Sequence, residues 1–304
     1  MDCRSADRPL DEGVVAAIVA DQLPFLAGAH VGRLGAGWDN ELFIVASAWV
    51  LRFPKRAERV AWQARELQIV ELAGEALGTL VPAFAHVGES SELFPYPFVA
   101  YRVLPGVAAD HLAEASVAFA ADLGESLGRL HAIDPCRVPA TPTGWEVEAL
   151  GDHLTDLVAY VSALRAHLAG DLLAQAEPYL TGRIDLPRGA GLRRFTHNDI
   201  CAEHVLVDPA TGRLSGLIDW TDAMVTDPAV DFVGLITIGD WRFIDQVIAA
   251  YPLALDEDFG ARLDWLARAL TLRWLGEALS DESAAPATHL KWVERAFTGH
   301  PAMT

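Results

Sequence analysis

The chain has 304 residues and a formal net charge of −19, with 52% hydrophobic residues. This length suits two lobes around separate cores, and the acidic balance argues against a nucleic-acid partner, because phosphates attract basic surfaces. No apolar run reaches the roughly 18 residues that cross a bilayer, and the first residues lack the order of a signal peptide. We therefore expect a cytoplasmic protein with no membrane partner. The cysteines form neither a disulfide framework nor a zinc spacing, and they are Cys3, Cys136 and Cys201.

Near the N-terminus, a glycine-bearing segment precedes two apolar strands. Gly35 and Gly37 are followed by the alternating run LFIVA and then by WVLRFP at residues 49–54. Glycines let a backbone approach phosphate closely, but the same pattern suits an ordinary hairpin turn. Both interpretations stay open on these residues alone.

The next elements are a helix and a third apolar strand. ERVAWQARELQIVELAG predicts a helix with an inward stripe formed by Val60, Ala64, Leu67 and Val70. FPYPFVAYRVLPG, at residues 94–106, predicts a strand that ends in a linker.

Most of the remaining chain has helical periodicity. The predicted helices cover residues 117–133, 150–168, 171–184, 230–251, 258–281 and 289–297. Because a strand-rich first part precedes a helical second part, the fold class is α+β.

One segment, residues 196–231, concentrates histidines and aspartates around two short apolar runs. HVLV (204–207) and LSGLID (214–219) predict two strands joined by a turn. Asp199 and His204 then lie at the start of the first strand, and Asp219 ends the second. A carboxylate that accepts a hydroxyl proton and a group that holds Mg²⁺ are what phosphoryl transfer requires. Asp208 and Asp227, in contrast, suit a solvated turn and a helix cap.

These motifs resemble the antibiotic kinases, that is, the aminoglycoside and macrolide phosphotransferases, which share the protein-kinase fold. The family pattern H-x-D-x-x-x-x-[NH] is matched by HND at 197–199 with His204, and I-D-x-x-[DE] is matched by IDWTD at 218–222. The resemblance implies a bilobal fold with a nucleotide-binding lobe at residues 1–103 and a catalytic and substrate-binding lobe at residues 104–304.

The resemblance also implies roles for individual residues. Asp199 accepts the proton of the acceptor hydroxyl, while His204 and Asp219 hold Mg²⁺, although imidazole is a poor ligand for a hard cation. Arg52 contacts the phosphates and pairs with Glu66. Two alternatives stay open, namely Lys55 in place of Arg52, and Glu66 as a surface residue that pairs with Arg65 or Lys55.

The nucleotide contacts follow from the same resemblance. Gly35 and Gly37 lie over the phosphates, Tyr101 borders the base, and the backbones of Arg102, Val103 and Leu104 offer N–H and C=O groups to a purine edge. A bulky aromatic such as Tyr101 narrows the adenine pocket, so we expect GTP to be accepted at least as well as ATP.

The implied function is phosphorylation of an aminoglycoside hydroxyl, which confers antibiotic resistance. The HND motif favours this substrate, and so does the acidic charge, which solubility explains equally well. WVLRFP and GLIDWTD also resemble the macrolide kinases. A metabolic small-molecule kinase and a nucleotide-binding pseudokinase-like module remain alternatives. Acidic residues that could bind substrate amines beside Trp274 are Glu277, Asp281 and Glu282.

Overall fold

The computed structural model describes residues 5–37, 39–112, 114–143, 157–185, 187, 193–281 and 285–298. Backbone contacts divide the chain into two units. Unit 1 contains Met1–Pro105, Pro139–Gly144 and Ser215–Thr221, and unit 2 contains Gly106–Val138, Trp145–Leu214 and Asp222–Thr304. The sequence prediction assigned the two later segments of unit 1 to the C-terminal lobe. Within the described residues, no helix is long and apolar enough to span a membrane.

Unit 1 contains an antiparallel five-stranded sheet with the strand order β1-β2-β3-β5-β4. The strands are β1 (Val31–Ala36), β2 (Asn40–Val45), β3 (Trp49–Pro54), β4 (Phe84–Gly88) and β5 (Phe98–Arg102). Helix α1 (Glu12–Gln22) precedes the sheet, and α2 (Val60–Leu77) connects β3 to β4. WVLRFP therefore forms the predicted strand, whereas the predicted strand at 94–106 is restricted to β5.

The core of unit 1 lies between α1 and the sheet. Phe53 stacks on Phe98 with ring centroids 4.7 Å apart and meets Phe43 edge to face at 5.9 Å. Val15 and Ile18 of α1 are buried in the same cluster. Aromatic pairs in such geometries add stability beyond their buried area, which fixes β3 and the residues that it carries.

The predicted inward stripe of α2 is wrong in part. Ala64 is exposed, while Glu66, Ile69 and Ala73 are buried together with Val70. The helix is rotated relative to the prediction because a buried carboxylate, which an apolar pattern cannot reveal, lies on its inner face.

Unit 2 is mainly helical. Its helices are α3 (Val117–His131), α4 (Val161–His167), α5 (Gly170–Leu180), α6 (Ala229–Val233), α7 (Trp241–Ala250), α8 (Phe259–Ser280) and α9 (Pro286–Phe297). Strand β6 (Val107–Ala108) pairs with β8 (Val205–Val207), and β7 (Arg194–Thr196) pairs with β10 (Met224–Thr226). Strand β9 (Leu214–Leu217) begins at Leu214, which is the last residue of the unit 2 segment Trp145–Leu214.

The single helix predicted at 230–251 is wrong. Helix α6 ends at Val233, a 3-10 turn follows, and α7 begins only after Asp240. The Asp240 side chain accepts a hydrogen bond from the Phe243 N–H at 3.2 Å, so it caps a new helix. Of the helix predicted at 150–168, residues 150–156 lie outside the described part, and a 3-10 turn and α4 follow.

Helices α3 and α7 pack closely at a glycine. A Cβ on Gly124 would lie 2.3 Å from the Val247 carbonyl oxygen. The absent side chain lets the two helices approach, and this contact positions the C-terminal end of α3.

The turn between β2 and β3 holds two non-glycine residues in the left-handed region. Ala46 and Ser47 have φ angles of 53° and 54°, and the Ala48 N–H donates to the Val45 carbonyl at 3.1 Å. This is the geometry of a type I′ turn, which favours Asn-Gly because L residues are strained there.

Replacing Ser47 by glycine should raise the free energy of unfolding by about 0.5–1 kcal/mol, since relief of strain exceeds the entropy cost of glycine. Denaturant unfolding measures the change. Ala48→Gly, where φ is not positive, is the control and should destabilise; equal losses in both variants would contradict the strain argument.

Candidate active site

A buried ion pair joins β3 to α2 in unit 1. Arg52 Nη1 lies 2.6 Å from Glu66 Oε1, and both side chains are almost fully buried. Arg52 is placed by the register of β3, and Glu66 by the inner face of α2. The guanidinium therefore has one fixed orientation in the sheet.

Thr221 and Asp219 extend this pair. Arg52 Nη2 lies 3.3 Å from Thr221 Oγ1 and 3.6 Å from Asp219 Oδ1. The Thr221 hydroxyl lies 3.1 Å from Glu66 Oε2 and 3.3 Å from Asp219 Oδ1, so it donates to one of them at a time. Although burial lowers the pKa of Arg52, the charges of Glu66 and Asp219 outweigh it and raise that pKa. Thr221 was not predicted from the sequence, because its role depends on a contact with a residue 155 positions away.

Asp219 does not end a strand, contrary to the prediction. Strand β9 ends at Leu217, and Asp219 has a φ of 64°. This left-handed conformation is costly for a residue other than glycine and is common at functional sites. The Asp219 side chain is 45% exposed, so its carboxylate is available to a ligand.

The alternatives for the ion pair are less well supported. Lys55 is also buried, but the Glu66 carboxylate is engaged by Arg52 and Thr221. Arg65 donates to the carbonyl oxygens of Pro139 and Thr221. Glu66 is a buried partner of Arg52 and not a surface residue.

Gly35 lies near the end of β1, paired with Leu42, and Gly37 lies in the turn between β1 and β2. A Cβ on either residue would meet no atom within 4 Å, and neither φ is positive. The Gly37 N–H donates to the Asn40 carbonyl at 3.0 Å. The backbone conformation does not itself require glycine here, so the two residues leave an uncovered backbone that a ligand can approach.

Tyr101 lies in β5 opposite Val50, with its ring 5.2 Å from that of Phe84. Burial raises the pKa of Tyr101 to about 12, so the phenol keeps its proton at neutral pH. The charge of Arg52 partly offsets this rise. Tyr101 therefore lies close enough to the ion pair to be affected by its charges.

One predicted base contact needs correction. The Val103 N–H donates to the Ala48 carbonyl at 3.0 Å, so it is not available to a purine. Because hydrogen-bonded pairs alternate along an antiparallel ladder, the N–H and C=O of Arg102 point away from β3. The Arg102 guanidinium lies 4.4 Å from the Trp49 ring centroid, so the side chain is engaged there. The backbone of Arg102 therefore remains the part that fits the predicted contact with a purine.

In unit 2, Asp231 of α6 holds the loop that follows β7. Its carboxylate accepts hydrogen bonds from the backbone N–H groups of His197 at 2.9 Å and Asn198 at 2.7 Å. His131, at the end of α3, donates from Nε2 at 2.9 Å, and its Nδ1 lies 2.8 Å from the Tyr251 hydroxyl. Asp231 and His131 are buried, and Asn198 has a φ of 65°. Neither Asp231 nor His131 was predicted from the sequence.

Asp199 and His204 come together at the end of this loop. His204 Nδ1 lies 2.9 Å from the Asp199 carbonyl oxygen and 3.1 Å from its carboxylate. Burial lowers the pKa of His204, but hydrogen bonds with Asp199 and Cys201 outweigh it and raise that pKa. Because a carbonyl only accepts, Nδ1 carries a proton and leaves Nε2 as the possible metal ligand.

The donor chemistry supports Asp219 more than His204 as a magnesium ligand. Mg²⁺ prefers oxygen donors, and Asp219 offers a partly exposed carboxylate. His204 offers a nitrogen on a ring already engaged by Asp199.

Asp208 and Asp227 have the structural roles that were predicted. The Asp208 side chain accepts from the Ala210 N–H in the turn before β9, and that of Asp227 accepts from the Ala229 N–H at the start of α6. Asp227 also pairs with the buried Arg262 at 2.6 Å.

The proposed amine-binding residues have ordinary surroundings. Glu277 pairs with Arg273 within α8, and Trp274 packs edge to face on Trp292. Asp281 ends α8, and Glu282 lies outside the described residues.

Residues 30–266 match the model of the phosphotransferase enzyme family. The chain belongs to this family. The predicted resemblance to the antibiotic kinases and the kinase-like α+β fold are thereby confirmed.

The structure of this family member is similar to solved structures of antibiotic kinases. The GDP complex of wild-type aminoglycoside 2'-phosphotransferase-IIIa shares 21% identity with a TM-score of 0.70, over 94% of this chain and 98% of that one. Macrolide 2'-phosphotransferase MphH from Brachybacterium faecium shares 22% identity with a TM-score of 0.61, over 96% and 99%. At these identities the likeness establishes the fold.

A sequence relative is the uncharacterized protein YcbJ of Bacillus subtilis (strain 168). It is 39% identical over 64 residues, which are 21% of each chain. The match thus spans about a fifth of that protein's length.

Asp231→Asn should destabilise the protein by about 3 kcal/mol, because the amide places a donor where three donors converge on a buried acceptor. Denaturant unfolding measures the loss, and hydrogen exchange of the His197 and Asn198 amides should accelerate. Asp208→Asn, in an exposed turn, is the matched control and should change little. Unchanged exchange at both amides would show that Asp231 does not hold the loop.

Proposed function

We propose that the protein is a small-molecule kinase that transfers the γ-phosphoryl group of a nucleoside triphosphate to a hydroxyl of an aminoglycoside antibiotic and so confers resistance. The observation that carries this proposal is Arg52, which Glu66 fixes so that the same guanidinium also reaches Asp219. An oriented cation next to a partly exposed carboxylate suits a metal–phosphate complex. Membership of the phosphotransferase enzyme family supports it.

Each residue has a distinct task in this proposal. Asp199 accepts the proton of the acceptor hydroxyl, and Arg52 steadies the phosphates. Asp219 would hold Mg²⁺, with His204 as a weaker ligand or as the partner of a water molecule. When bound, the metal supplies positive charge that neutralises the phosphates. Catalysis then results mainly from positioning and from charge neutralisation.

The aminoglycoside is favoured as the acceptor on charge and motif. A chain with a net charge of −19 attracts a polyamine, and the HND spelling is typical of the aminoglycoside branch. A macrolide is the second candidate because WVLRFP and GLIDWTD resemble the macrolide kinases. The two solved structures compared above have nearly equal identity to this chain, so substrate assays must separate them.

Asp199→Asn should lower turnover by about 10²–10⁴-fold, as expected for loss of a general base, with nucleotide affinity nearly unchanged. The measurement is a coupled phosphotransfer assay with ATP and GTP across a panel of aminoglycosides and macrolides. Asp208→Asn, nine residues along the same segment, is the control and should keep full turnover.

The panel distinguishes the proposed functions. Turnover of aminoglycosides alone supports the proposal, and turnover of macrolides alone replaces it with the second candidate. Binding of nucleotide without turnover of any antibiotic would contradict both and favour a metabolic kinase or a binding module.

GTP should be used at least as well as ATP, because the ring of Tyr101 narrows the space for the base. Values of kcat/KM for the two nucleotides, measured with one antibiotic, test this. Tyr101→Met should shift the ratio toward ATP, whereas Phe84→Leu, which changes the ring beside Tyr101, is the control. Efficient use of ATP with no use of GTP would show that the preference is wrong.

A further inference from the structure

We propose that Asp199, Cys201 and His204 form a binding site for a thiophilic divalent cation such as Zn²⁺, and that occupancy of this site blocks the kinase. One ligand atom from each residue lies within 4.8 Å of the other two. A thiolate, an imidazole and a carboxylate are all common zinc ligands, and three protein ligands leave a fourth position for water. Cysteine spacing could not predict this site, because the set contains only one cysteine.

The side chains are already directed toward one another. His204 Nδ1 lies 3.1 Å from the Asp199 carboxylate, and the Cys201 sulfur lies within 4.8 Å of a ligand atom of each of these side chains. The side chain of His204 is 19% exposed and that of Asp199 is 43% exposed, which leaves an entry path from solvent. The cluster is therefore neither sealed in the core nor spread over the surface.

The backbone of the loop is held from several sides. The Ala202 N–H donates to Thr237 Oγ1 at 2.8 Å, and the His204 N–H donates to the Cys201 carbonyl at 3.1 Å. A Cβ on Gly234 would lie 1.4 Å from the Ile200 carbonyl oxygen, so the loop packs directly on that glycine. A fixed backbone lowers the entropy cost of gathering three ligands around one ion.

The ligand set selects against Mg²⁺. Sulfur and nitrogen donors suit Zn²⁺ and other borderline metals, whereas Mg²⁺ requires oxygen donors in octahedral geometry. This site shares His204 with the proposed magnesium position but contains Cys201 and Asp199 in place of Asp219. Millimolar Mg²⁺ should therefore not displace Zn²⁺.

Binding has a defined proton balance. The Cys201 thiol gives its proton to solvent and forms a sulfur–metal bond, and any ring nitrogen that becomes a ligand must likewise be free of its proton. No oxidant or reductant is needed. Inhibition follows because the metal occupies the Asp199 carboxylate, and this step alone rests on the proposed function.

The test uses Co²⁺ as a spectroscopic substitute for Zn²⁺. One equivalent of Co²⁺ should give a sulfur-to-metal charge-transfer band, and Zn²⁺ should abolish it. Cys201→Ser should remove the band and weaken Zn²⁺ binding at least about tenfold, the smallest effect expected when even an outer partner is lost. The double variant Cys3→Ser/Cys136→Ser is the matched control and should keep both.

A second variant guards against misfolding. Circular dichroism establishes that Cys201→Ser is folded, and His204→Gln, measured for metal binding alone, should also weaken Zn²⁺. A band that persists in folded Cys201→Ser, or a wild-type protein without a band, would overturn the site.

The activity assay separates this proposal from the proposed function. In excess Mg²⁺, one equivalent of Zn²⁺ should lower turnover at least about 100-fold, the scale of losing Asp199, and a zinc-selective chelator should restore it. Cys201→Ser, compared with its own metal-free rate, should resist the same Zn²⁺ concentration. A charge-transfer band without any antibiotic turnover would refute the proposed function and leave the metal site intact, whereas turnover without a band would refute the metal site alone.

Discussion

The buried carboxylate of Asp231 fixes the backbone from which Asp199 and His204 project. It accepts two successive backbone N–H groups and the imidazole of His131, and none of its side chain is exposed. Asn198, which donates one of those bonds, has a left-handed conformation, which persists only where the surrounding structure fixes it. The hydrogen bond to Asp231 holds Asn198 in this conformation. A flexible loop could place Asp199 near a substrate only part of the time, whereas this one is set before any ligand arrives.

The Arg52–Glu66 pair solves a different problem in unit 1. Burying two charges costs several kcal/mol per ion, and their attraction repays this only with good geometry and further hydrogen bonds. Such a pair is weak evidence of stability but a strong means of orientation. The planar guanidinium reaches Glu66, Thr221 and Asp219 together, which a lysine ammonium on a flexible stem would not do with the same fixed geometry. Arg52 is therefore held in the single orientation that the proposed phosphate contact requires.

The sequence could predict what local periodicity encodes. Periodicity predicted the strand that carries Arg52 and the helix that carries Glu66, whereas the family resemblance singled out these two residues and Asp199. Asp231 and His131 were missed because their partners are distant in the chain. Asp231 lies 34 positions from His197, whose N–H it accepts, and His131 lies 100 positions from Asp231. An aspartate flanked by apolar residues, as in VDFV, was a usable signal, since a charged side chain is rarely fully buried unless it is paired. The same residue was instead read as part of one long helix, which the cap at Asp240 interrupts.

The two metal sites proposed above lie in the same segment of the sequence, and their ligands differ in hardness. Asp219 is an oxygen donor 3.6 Å from the Arg52 guanidinium, where a metal–phosphate complex would be balanced by Arg52 and would have few protein ligands. Asp199, Cys201 and His204 offer mixed donors from one short loop, which suits a cation that binds protein alone. A kinase needs its magnesium to leave with the nucleotide, so weak protein ligation is an advantage at the first position. A serine at residue 201 would remove the soft donor without touching Asp199, so this single substitution separates the proposed metal site from the proposed phosphoryl transfer.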